Sequence, residues 1–97
     1  AGVSAFRVYR DKIVAYHSTA LRLQAVVLNL YNSGVWAKRQ PVHLDNLLAN
    51  ADEEHVGILI DLLRSYARNG ENDADFLALG RELAEERAPR QRKGARA

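Results

Sequence analysis

From Ser4 to Ser33 the chain contains neither proline nor glycine, and Phe6, Tyr9, Ile13, Tyr16, Ala20, Leu23, Val27 and Leu30 recur at alternating spacings of three and four. Such spacings align on one side of an α-helix, so the segment reads as an amphipathic helix with a heptad-like seam. Its weak point is His17-Ser18-Thr19. These side chains compete with the helix for backbone hydrogen bonds, and a break is allowed for there. Left unbroken, the helix would be about 40 Å long, more than a domain of this size accommodates, so its N-terminal half would project or need a partner.

Asn32-Ser33-Gly34 reads as the stop, because glycine supplies the left-handed cap that other residues resist. A loop from Val35 to Pro41 is expected next, then a short helix from Val42 to Asn50 with Leu44, Leu47 and Leu48 inward. Asp52 suits the N-cap of a helix over Glu53 to Arg68, with Glu53 and Glu54 in the first turn and Arg64 and Arg68 near the end, as the helix dipole favours. Val56, Leu59, Ile60, Leu63 and Ala67 are its expected core face, and Gly70 ends it. Asn72 or Asp73 caps a last helix from Ala74 to about Ala88, with Phe76, Leu77, Gly80, Leu83 and Ala84 inward and Pro89 as its stop. No segment reads as a strand and no internal repeat is present. The expected fold is all-α: one small four-helix domain over residues 1–88, with a long first helix, a short second helix and an antiparallel third and fourth. Residues 89–97 form a basic tail with nothing apolar to bury, expected to be disordered when free.

With 97 residues, a chain of this size buries most of its apolar groups without cross-links. It has no cysteine, which excludes disulfides, Cys-ligated zinc, iron–sulfur clusters and thiol catalysis. No apolar run approaches the roughly 18 to 20 residues that span a bilayer, so no membrane association is expected. The opening Ala1-Gly2-Val3-Ser4 lacks the basic region and long apolar core of a secretory signal, and the expected location is cytoplasmic. Charge is segregated along the chain. Residues 1–40 carry six basic groups and one acid, residues 41–86 three basic groups and eleven acids, and residues 87–97 five basic groups and no acid. Basic ends of this kind dock on the acidic middle or on something outside the chain.

Residues with catalytic or ligand-binding chemistry do not assemble into a known pattern. His17, His43 and His55 lie in different helices or helix starts, without the i,i+4 partner of a zinc-binding helix. Glu71, Asp73 and Asp75 alternate like calcium ligands, but Ala74 and Gly80 stand where the turn glycine and the bidentate glutamate belong, so helix capping is the better account. The glycines have no phosphate-loop spacing. A helix-turn-helix over Leu44 to Leu63 would present Glu53, Glu54 and Asp61 to DNA, which repels them. No catalytic residue, metal, cofactor or small-molecule ligand is therefore expected, and the protein is read as not an enzyme.

Contact residues are easier to nominate. Trp36, with Lys38 and Arg39 close behind, either lids the core or forms the aromatic-plus-arginine kind of binding contact. In the tail, Arg90, Arg92, Lys93 and Arg96, together with Arg87, are either solvated or an arm for phosphate or an acidic protein surface.

The stretch Arg22-Leu23-Gln24-Ala25-Val26-Val27-Leu28-Asn29-Leu30-Tyr31-Asn32, then His43-Leu44-Asp45-Asn46-Leu47-Leu48, then Ile58 to Ala67, resembles a family of small uncharacterised all-helical proteins of proteobacteria and their mobile elements. The resemblance covers roughly residues 5–88. The chain departs from it with Leu30-Tyr31, where the family tends to have two tryptophans, and with its basic tail. The resemblance implies a bacterial cytoplasmic origin and carries over no functional residue.

Two functions follow as expectations. The first is a non-enzymatic protein–protein interaction or assembly module that holds a partner, or a second copy of itself, through Phe6, Tyr9, Ile13 and Tyr16 of the first helix, Trp36, Lys38, Arg39 and the basic tail. The alternative is a nucleic-acid-associated accessory or regulatory protein using Arg7, Arg10, Lys38, Arg39 and the tail, with strongly salt-dependent binding.

Overall fold

The long Pro/Gly-free segment does not fold as one rod. In the computed structural model, which describes residues 3–87, it forms three helices: α1 (Ala5–Val8), α2 (Arg10–Ile13) and α3 (Ser18–Tyr31). Tyr9 is both the last cap of α1 and the first of α2: its N–H donates to Ala5 O while its carbonyl accepts from Lys12 and Ile13, each at 3.0 Å. The decisive break lies at residues 14–17, where the sequence is weakest. His17 takes an extended backbone and its Nδ1 accepts the Ala20 N–H at 3.2 Å, so the residue that disfavours the helix interior caps the next helix instead.

A polar side chain secures this break from inside. Gln24 is buried, and its Nε2 donates to Ile13 O at 2.8 Å and to Ala15 O at 3.3 Å, pairing carbonyls around the break. Its Oε1 accepts from the Arg87 guanidinium at 2.5 Å, which ties the break to the far end of the chain.

Four more α-helices and a single 3-10 turn complete the described residues, so the expected four helices become seven: α4 (Ser33–Arg39), α5 (Leu44–Asn50), α6 (Glu53–Asn69), the 3-10 turn Gly70–Asn72 and α7 (Ala74–Glu86). The segment expected as a loop after Gly34 is mostly α4. Asn32, at φ −157° and ψ 84°, turns the chain in one residue, and Gly34 lies inside the new helix rather than in a left-handed cap. In α5 only Leu47 is buried, while Leu44 and Leu48 are about half exposed, because this seven-residue helix rests on α3 alone among its larger contacts.

The ends of α6 and α7 follow the local signals. Asp52 accepts the His55 N–H at 2.9 Å, Gly70 closes α6 at φ 54°, and Asp73 caps α7 by accepting the Asp75 and Phe76 N–H groups at 3.0 and 3.2 Å. Ser4, the cap of α1, donates to the same Asp73 carboxylate at 2.6 Å, which fastens the first helix to the start of the last.

The core gathers around Phe76, whose ring lies 4.9 Å from Phe6, 5.1 Å from Tyr66 and 6.3 Å from Tyr31. α3 packs closely on α7, and Gly80 makes that approach feasible: a Cβ there would stand 2.4 Å from the Tyr31 ring. Leu79 is buried in α7 while Leu77, expected inward, is exposed.

α6 turns a different face inward from the one its sequence favours. Its buried residues are Ile58, Leu59, Leu62 and Ser65. Of the expected core face only Leu59 is buried. Ile60 and Leu63 are 45% and 43% exposed, Ala67 is exposed, and Val56 is intermediate. The helix carries two apolar stripes of the same three-and-four spacing, and the one lying against α1 and the core is Ile58, Leu59 and Leu62 with Tyr66.

Candidate interaction surface

Most of the expected first-helix seam is not on the surface. Phe6 and Ile13 are buried at 1% and 0% exposure, because the short α1 and α2 fold back onto α6, α7 and α3 instead of projecting. They belong to the protein's own core and are turned away from any partner. Tyr9 is half-buried, and its hydroxyl donates to Asp61 Oδ2 at 2.7 Å. That bond to a carboxylate pushes the phenol pKa above its ordinary value. Tyr16, in the break, is 86% exposed and alone of the four presents its ring to solvent.

Trp36 is 6% exposed and lids the core from α4. Lys38 and Arg39 are exposed, with the Arg39 guanidinium carbon 5.8 Å from the Trp36 ring centre. Arg90, Arg92, Lys93 and Arg96 lie outside the described residues.

The basic N-terminal segment partly docks on the acidic middle. Arg10 pairs with Glu82 at 2.8 Å and Lys12 with Glu54 at 3.0 Å, both pairs half-exposed. The hydrogen bond from Glu82 raises the Arg10 pKa further above its already high ordinary value. Each exposed pair contributes little to stability, on the order of 0–1 kcal/mol, but the first engages Arg10, one of the cations named for nucleic-acid binding. From Val3 to Arg87, acids outnumber basic groups by two.

Two of the three histidines meet although the sequence separates them. The His17 and His55 rings stand edge-to-face with centres 5.3 Å apart, joining the break to the first turn of α6. His55 Nδ1 lies 2.7 Å from Asp52 Oδ1, and this hydrogen bond, with the backbone one from the same residue, holds the Asp52 carboxyl below the usual carboxylate range. Asp52, Glu54 and His55 have ligand atoms within 4.8 Å of one another. Capping by Asp52 and the Glu54–Lys12 pair account for that cluster.

The surface that the sequence assigned to the core is the outward face of α6. At 100° per residue Ile60 lies opposite the buried side, flanked by Val56, Gly57, Leu63, Arg64 and Ala67, with Glu53 one end further along. A groove of about 260 Å³ runs beside this face between α1 and α6, lined by Val3, Val8, Tyr9, Asp61, Arg64 and Arg68. Val3 and Val8 are more than half exposed. The signal was present in the sequence: Ile58, Leu59, Leu62 and Tyr66 form a second apolar stripe on the other side of the same helix.

The chain matches no family model, no curated protein and no solved structure. Among the described residues no helix is long and apolar enough to cross a membrane.

Proposed function

We propose that the chain is a non-enzymatic protein–protein interaction module whose contact surface is the outward face of α6. One observation carries this reading: Ile60, Leu63 and Ala67, which with the half-buried Val56 are spaced as a helix-pairing seam, stand on the solvent side of a helix whose other side already fills the core.

Site-specific photocrosslinking tests the reading. A photoreactive residue at position 60 is compared with one at position 21, where Leu21 is equally exposed but on α3. In nuclease-treated lysate of the host, position 60 should give a discrete protein adduct that position 21 does not, and Leu63→Glu should abolish it. Identical diffuse adducts from both positions would sink the proposal.

A further inference from the structure

We infer that the occupant of the α6 face is α6 of a second copy of this chain, packed antiparallel about a two-fold axis beside Ile60 and Asp61. This inference rests on the reading of that face as a contact surface and goes beyond it by naming the partner. Three observations carry it.

The first is the charge order along the face. Glu53 stands at the N-terminal end, Arg64 and Arg68 toward the C-terminal end, all exposed and without an ion-pair partner among the described residues. A parallel second copy would set like charges side by side. An antiparallel copy sets Glu53 against Arg68 of the second copy, and the two-fold repeats the contact, so both ends are complementary at once.

The second is Gly57. A glycine inside a helix is destabilising by about 0.5–1 kcal/mol relative to alanine, and packing among the described residues gives no reason for it: outside its own helix none of them comes within 4 Å of the position a Cβ would take. In the register that pairs Glu53 with Arg68, Gly57 falls opposite Arg64 of the second copy. The missing side chain then leaves room for the arginine stem to cross the neighbouring backbone.

The third is the apolar set. In that same register Ile60 lies beside its own copy at the axis, while Val56 and Leu63 of the two copies interleave on one side of it. All three features meet about one axis, as self-pairing requires. A single helix pair buries little area, so the dimer is a weak one that forms at micromolar to millimolar concentration.

Sedimentation equilibrium of the full chain from about 1 μM to about 1 mM reads the monomer–dimer constant directly. The expected result is a reversible dimer that Ile60→Glu abolishes. Glu53→Arg and Arg68→Glu should each weaken it by about tenfold, since symmetry counts each contact twice, and the double variant should recover most of the loss. Gly57→Ala should weaken the dimer while leaving the monomer folded, by circular dichroism. A monomer at every concentration, a dimer indifferent to Ile60→Glu, or no recovery in the double variant overturns self-pairing. A wild-type monomer whose position 60 still crosslinks to another protein would refute this inference alone and leave the interaction reading standing.

Discussion

α3 is surrounded: α2, α4, α5 and α7 all pack on it, and Ala20, Leu23, Gln24, Val26, Val27 and Leu28 are buried. α6 is longer but lies at the edge, packed chiefly on α1 and the turn that follows it, with Ile60 and Leu63 left on its open side. Both helices are rich in leucine, isoleucine and valine. An apolar side chain in α3 therefore contributes to folding, whereas one on the outer side of α6 contributes little until another surface covers it. The difference separates the residues that build this protein from those available for contact.

Truncating one leucine in each helix gives the sharpest contrast. Leu28→Ala removes a fully buried side chain and should cost about 2–5 kcal/mol in denaturant unfolding, whereas Leu63→Ala should stay within about 0.5 kcal/mol in dilute solution. Equal losses would mean that the outer side of α6 is part of the core.

Gln24 tests whether the interior of α3 also depends on its polar contact. Gln24→Ala leaves Ile13 O without its side-chain partner and frees Arg87, and should cost about 1–3 kcal/mol. Faster amide exchange should accompany it at residues 14–17, while α6 amides keep their protection relative to global unfolding.

On the open side of α6, Gly57→Ala should raise stability by about 0.5–1 kcal/mol at concentrations where the chain is monomeric, because the added methyl group meets none of the described residues and the unfolded chain loses freedom. A destabilised variant would show that α6 is more closely covered than its exposure indicates.

The smallest effect is expected at the N-terminus of α6. Asp52 titrates below its ordinary value in the folded state, so its ionised form stabilises the fold fully above about pH 4. That contribution is lost as the pH falls through the lowered folded-state value. Replacing it in Asp52→Asn should flatten the acid limb of a stability–pH curve in this window. An unchanged acid limb would show that the His55 contact does not hold the carboxylate.

The local grammar of this fold is legible without coordinates. His17-Ser18-Thr19 marks the break, Asp52 and Asp73 start their helices, and Gly70 ends α6, because a cap or a left-handed turn depends on the few residues that make it. Gly34 does not end its helix as it reads, since an asparagine two residues earlier has already turned the chain and a new helix begins at Ser33.

Side-chain facing was less legible, and that is where the candidate site lay hidden. Phe6 and Ile13 read as a seam for a partner because a straight helix would have carried them past the domain. The break folded them into its centre. Val56, Ile60, Leu63 and Ala67 read as core because their spacing fits a helix face, yet Ile58, Leu59 and Leu62 fit another face of the same helix. Periodicity is a property of one helix and says how its residues are grouped. Which group is turned inward depends on where the neighbouring helices lie, and only the tertiary structure decided that.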